Sequence, residues 1–208
     1  MESYLTVLKD ATAEYVEKRS RFIANLRHCE NETQASAFLE EMRSKYWDAR
    51  HNVFAYSVEG GSFCRFSDDG EPHGTAGKPI LDVIVGSEIK NIAIVVTRYF
   101  GGVLLGTGGL VRAYSKSAKD AIGAAEVVRM VPCTVYETVC DYQDHQRLVS
   151  LIENCFGKIE DTEFTDKVKL KYSFKDEDFG AFSPKLCETF SARLEAVETE
   201  KTLTSFKI

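Results

Sequence analysis

The sequence predicts an α+β protein of two domains. Three observations carry this. Twelve of the 14 glycines fall before Val131-Pro132, and the chain after that point is made of short alternating segments. Stretches with a helical apolar period are interspersed with stretches of period two or of continuous apolar residues. The last 75 or so residues show the order strand, helix, strand, strand, helix, strand. We therefore expect a boundary at about 128–133, with domains over residues 1–130 and 133–208.

In the first domain, Ala13–Val16 and Phe22–Leu26 read as strands. Asn31 caps a helix over Glu32–Lys45, with Ala35, Phe38, Leu39 and Met42 on one stripe. Asn52–Val58 and Ser62–Phe66 flank Glu59-Gly60-Gly61 as a hairpin. Pro79 opens a short helix through Val85, ended by Gly86. Ile92–Thr97 is continuously apolar, as a strand covered on both faces must be. A glycine-rich loop and a helix over about 109–125 follow.

In the second domain, Cys133–Cys140 reads as a strand. Asp141 or Asp144 begins a helix to about Cys155, with Leu148, Leu151, Ile152 and Cys155 facing inward. Ile159–Phe164 and Val168–Phe174 are strands, Phe179–Phe190 is partly helical, and Val197–Phe206 is a final strand. This βαββαβ order is that of a ferredoxin-like sandwich. Lys167, Lys169, Lys171 and Lys175 alternate with Val168, Leu170, Tyr172 and Phe174, so the lysines belong to the open face.

The chain has 208 residues and a formal net charge of −6. Residues 1–132 carry 16 basic and 17 acidic side chains, and residues 133–208 carry 10 and 15. That balance excludes a protein that coats nucleic acid nonspecifically, but not a local basic site. No apolar run of about 18 residues is present, and the acidic start lacks a signal-peptide core. The expected compartment is the cytoplasm, with no membrane partner. The six cysteines form no CxxC pair and are expected to be reduced.

Three stretches can carry chemistry. Arg98-Tyr99-Phe100 leads into Gly101, Gly102, Gly106, Gly108 and Gly109, five glycines between a buried strand and a helix. Such glycines let a ligand approach closely, or let a helix pack tightly on a sheet. The formal dinucleotide and P-loop spacings are not met. From Thr97 to Lys119 there are four basic residues, Arg98, Arg112, Lys116 and Lys119, and no acid. The last three share a helix face, which serves as an anion contact or as a solvated surface. The second stretch, Phe66–Pro79, holds Asp68, Asp69, Glu71 and His73. It is either a divalent-cation site, with Asp68, Asp69 and Glu71 as ligands, or an ordered loop of Asp-Gly and Glu-Pro turns. The third is Asp48-Ala49-Arg50-His51-Asn52, where Arg50 and His51 are candidates to complete an anion site.

These stretches together (Asp48–Asn52, Phe66–Pro79 and Val96–Ala113), with Ser20-Arg21-Phe22-Ile23-Ala24, resemble the signature of the YigZ/Impact family. The likeness covers about residues 15–125, and the region after about 133 resembles the small domain of bacterial members. It implies an N-terminal fold like the second domain of a small-subunit ribosomal protein and domain IV of elongation factor G. It also implies a link to translation, since the eukaryotic relative regulates translation through a starvation-responsive kinase pathway. The expectation is a cytoplasmic, non-enzymatic binding protein for RNA or a ribosome-associated partner, without a cofactor. Arg50, His51, Arg98, Gly101, Gly102, Gly106, Gly108, Gly109, Arg112, Lys116 and Lys119 form its surface. The alternative is an enzyme for a phosphorylated or carboxylated small molecule, using the Asp, Glu and His loops.

Overall fold

The computed structural model describes residues 2–207, and the side chains of all of these except 176, 177, 206 and 207. The elements in chain order are β1 (Tyr4–Val7), β2 (Ala11–Glu17), β3 (Ser20–His28), α1 (Glu32–Lys45), β4 (His51–Val58), β5 (Phe63–Ser67), α2 (Gly77–Gly86), β6 (Ile92–Tyr99) and α3 (Gly106–Ala124). Then come β7 (Val127–Cys140), α4 (Tyr142–Asn154), β8 (Lys158–Phe164), β9 (Val168–Lys175), α5 (Asp176–Thr189) and β10 (Val197–Lys207). The chain divides into two compact units, Tyr4–Arg129 and Met130–Phe206. No linker separates them, because β7 runs through Pro132 without interruption.

The first unit is built on a sheet of order β2-β3-β6-β4-β5, antiparallel throughout. β6 lies at its centre. Ile92, Ile94 and Val96 pack with Ile80 and Ile84 of α2 and with Leu110, Tyr114 and Ala118 of α3. Ala93 and Val95, on the opposite pleat, pack with Phe38, Leu39 and Met42 of α1. Helices on both faces explain why IAIVVT is apolar without alternation. Asn31 caps α1 as expected, its side chain accepting from the Gln34 N–H at 3.0 Å. The helix ends at Lys45, as its sequence predicts.

Several elements depart from expectation: β7 begins at Val127 rather than Cys133, and α5 at Asp176 rather than Phe179. β1 is missing from the sequence reading, since four residues show no useful period. It is tied down by the Lys90 N–H donating to the Leu5 carbonyl (2.8 Å) and the Thr6 hydroxyl donating to the Lys90 carbonyl (2.9 Å). α3 begins at Gly106, not 109, because the last glycines of the loop are already its first turn. Gly106 enters at φ +70°, a conformation that glycine adopts without strain.

The second unit has the sheet order β7-β9-β8, with β10 paired to β7. Its core joins Leu148 and Ile152 of α4 and Phe182 and Leu186 of α5 to Val168, Leu170, Tyr172 and Phe174 of β9. The lysines of β9 are held by acids on the sheet: Lys169 to Glu137 at 2.9 Å and Lys171 to Glu200 at 2.8 Å. This neutralises the open face and leaves it no basic stripe. Among the described residues no helix is long and apolar enough to cross a membrane.

Candidate functional site

The three motif stretches meet at one end of the first sheet, and the register explains why. Arg98 lies opposite Phe22 of β3 and His51 of β4, so the end of β6 and the starts of β3 and β4 are neighbours. Arg98 continues the Ile92, Ile94, Val96 pleat and so points into the core. It is only 6% exposed, and its Nη1 donates to Glu71 Oε1 at 2.5 Å. Tyr114 Oη donates to the same oxygen at 2.8 Å. The guanidinium carbon lies 5.4 Å from the Phe22 ring and 5.6 Å from the Phe100 ring. Burial, then the Glu71 anion, pushes the Tyr114 hydroxyl well above the ordinary phenol range, so it stays a donor. The expectation of Arg98 as a surface anion contact is therefore corrected: a strand residue in phase with three buried apolar neighbours is itself buried.

The carboxylates of Phe66–Pro79 are spent on the loop's own structure. Asp68 accepts backbone N–H bonds from Gly74 (2.8 Å), Ala76 (3.1 Å) and Gly77 (2.8 Å). Asp69, at φ +43°, accepts from the Asn52 N–H at 2.6 Å, and its carbonyl accepts from His51 Nδ1 at 2.8 Å. Glu71 serves Arg98. No group of three metal-ligating side chains forms among the described residues, and the contacts given for Asp68, Asp69 and Glu71 are turn and ion-pair bonds. His51 packs on this loop, and its Nδ1 is taken. His73 is fully exposed, 3.7 Å from Asp68.

Burial alone would raise the Asp68 pKa, but the three backbone donors outweigh it and hold the carboxyl below the ordinary value. A depressed folded-state pKa contributes stability above the unfolded value, near 3.9, and loses it as pH falls through the folded value. Asp68→Asn should therefore lower stability by about 1–2 kcal/mol at pH 7, given one charged acceptor replaced by a neutral one. The difference from wild type should shrink in urea titrations as pH falls below about 4. A constant difference across that range would show that the charge is not the cause.

The surface lies outside this buried pair. A Cβ built on Gly101 would overlap the backbone of Arg19 and Ser20, and the Gly101 N–H donates to Ser20 Oγ at 3.1 Å. This contact sets the β2–β3 turn, with Lys18 (φ +46°) and Arg19 (φ +68°), beside the glycine loop. Gly102, at φ +83°, has open space around it, and Gly108 and Gly109 are helical. Phe100, Val103 and Leu104 of the loop are exposed. A recess of about 300 Å³ opens between this turn and α3, lined by Lys18, Glu17, Leu105, Gly109, Arg112 and Lys116. Lys116 is shared with Asp120 at 2.5 Å. Arg112, Lys18, Arg19 and Arg50 have no ion-pair partner among the described residues.

Lys119 does not join them. It lines a separate groove of about 660 Å³ between α2 and α3, with Lys78, Asp82, Val83 and Ile122. The roughly 60° of helical arc between Lys116 and Lys119 is enough to place them on opposite flanks of the helix. Lys18 and Arg19 are the cationic residues that the sequence reading missed. Their signal is two adjacent bases at the tip of a strand–strand connection, which gains meaning only when the glycine loop is beside it.

Residues 18–122 match the model of the Impact N-terminal domain, and residues 138–193 match a domain of unknown function, DUF1949. The chain is 37% identical over 204 residues to the IMPACT family member YigZ of Escherichia coli (strain K12), covering 97% of this chain and 100% of the relative. It is 32% identical over 203 residues to the IMPACT family member YvyE of Bacillus subtilis (strain 168), covering 97% and 94%. Its likeness to the Protein IMPACT of Danio rerio is 33% over 96 residues, 43% of this chain and 30% of that one. A crystal structure of a hypothetical protein, 37% identical, superimposes with a TM-score of 0.62 over 96% of this chain and 98% of that chain. The model match contains all the motif stretches and the ion pair they enclose, and the chain belongs to the IMPACT family.

Proposed function

We propose that this protein is a translation-associated binding protein that docks on RNA through the basic end of its first unit. The observation that carries the reading is the recess between the β2–β3 turn and α3, with Lys18 and Arg112 unpaired at its rim and the glycine loop beside it. Cations without carboxylate partners, beside backbone that comes close to a partner, suit phosphate. The domain is nearly neutral, so this local charge is a feature of placement rather than of composition. The resemblance of the first unit to ribosome-binding domains and of the second to ferredoxin-like domains supports the same reading by analogy.

Arg112→Ala with Lys116→Ala should weaken co-sedimentation with ribosomes and binding to RNA. The slope of log affinity against log salt should fall by about 1.4, roughly 0.7 for each lost contact to a single strand. An unchanged slope and affinity would refute the assignment. Pull-down from nuclease-treated and untreated extract separates an RNA contact from an acidic protein.

A further inference from the structure

α1 points its inner stripe at the sheet through Ala35, Phe38, Leu39 and Met42, and Tyr46 continues it. Trp47 comes one residue later, in the turn beyond the end of α1. The result is a tryptophan that is 83% exposed. Exposure of so large an apolar ring is unusual in a folded domain. Its surroundings are aromatic and basic together. The Lys45 ammonium sits 5.2 Å from the Tyr46 ring. Asp48, next in the chain, accepts from Tyr99 Oη at 2.7 Å, and Arg21 lies 5.9 Å over the Tyr99 ring. Phe100 follows and is 55% exposed. Arg50 is exposed two residues beyond Asp48, with no ion-pair partner among the described residues.

We infer that Trp47 is a stacking platform for an unpaired base, so that the RNA held at this end of the first unit is single-stranded. The inference rests on the proposed RNA reading of the same end and names its substrate class. Flat rings interleaved with cations fit a strand whose bases offer π faces and whose backbone is anionic. Bases inside a duplex are already stacked and present no face to an outside ring. Trp47 precedes Asp48, whose bond to Tyr99 ties the loop that carries the ring to the end of β6 before any ligand arrives.

Trp47 is the chain's only tryptophan, so its emission reports this position alone. The test uses a fluorescein-labelled 12-nucleotide oligo(U), read by anisotropy, with intrinsic emission read in parallel on the unlabelled strand. Binding should quench Trp47. Trp47→Ala should weaken the single strand by about tenfold or more and leave affinity for a 12-base-pair RNA duplex unchanged, and Trp47→Phe should restore most of the loss. Full binding without quenching, or equal affinity in Trp47→Ala, overturns the inference. If Trp47→Ala binds as wild type while Arg112→Ala/Lys116→Ala binds weakly, the platform fails and the RNA reading stands. No binding of either RNA by the wild type defeats both. Quenching by poly-glutamate but not by RNA overturns the platform in favour of a protein contact.

Discussion

Glu71→Ala will melt the first unit about 10 °C or more below the wild type, the largest stability loss expected from any single charge change in this protein. The carboxylate is 4% exposed at its side chain and is the shared acceptor of Arg98 and Tyr114. Removing it strands a guanidinium that already has one unpartnered nitrogen, Nε. An uncompensated buried charge costs about 3–5 kcal/mol, and the Tyr114 hydroxyl loses its partner as well, which costs about 1–3 kcal/mol. Each kilocalorie is worth a few degrees for a unit of this size. Thermal scans by circular dichroism or calorimetry give the result. The cause can be checked in the same way: Glu71→Leu with Arg98→Met should recover much of the loss, since an apolar pair of similar volume needs no neutralisation. A melting point within about 2 °C of wild type for Glu71→Ala would mean that water reaches Arg98 and that the pair is not closed.

Gly101→Ala is the second large effect, and it links stability to binding. Its φ is not in the left-handed region, so the reason for glycine here is space. A methyl group would meet the main chain of Arg19 and Ser20, which cannot rotate away as a flexible side chain can. Overpacking of this kind costs about 1–3 kcal/mol, at the upper end where backbone must move. The movement would separate the β2–β3 turn from the glycine loop and carry Lys18 away from Arg112. We expect a lower melting point together with weaker RNA binding, and faster amide exchange at Ser20 and Gly101. Gly123→Ala, in α3 with open space at its Cβ, is the control. It should be neutral or stabilising by up to about 1 kcal/mol. If Gly101→Ala behaves like Gly123→Ala, the turn and the loop are not in contact.

Much of the architecture was legible because its signals are local. Asn31 and the Ala35, Phe38, Leu39, Met42 stripe define α1 within one helix length. The apolar run at Ile92–Thr97 announces a strand covered on both faces. β1 was not legible, because the groups that hold it, Lys90 among them, lie far along the chain. The glycines at the start of α3 concealed its first turn, since glycine is a poor helix former that only the surrounding packing holds. The motif stretches were legible as a family likeness, and their carboxylates as turn formers, but not their individual partners.

The sequence by itself determined most of the helices and strands, which family the chain resembles, and that positive charge concentrates between Thr97 and Lys119. Tertiary structure alone decided what that charge does. It buried Arg98 against Glu71, sent Lys119 to a different groove, tied Lys116 to Asp120, and brought Lys18 to the recess that Arg112 lines. The physical reason is range. Periodicity and capping act between residues a few positions apart, whereas neutralisation depends on distance in space, and a carboxylate 27 positions away in sequence can accept a hydrogen bond from its guanidinium.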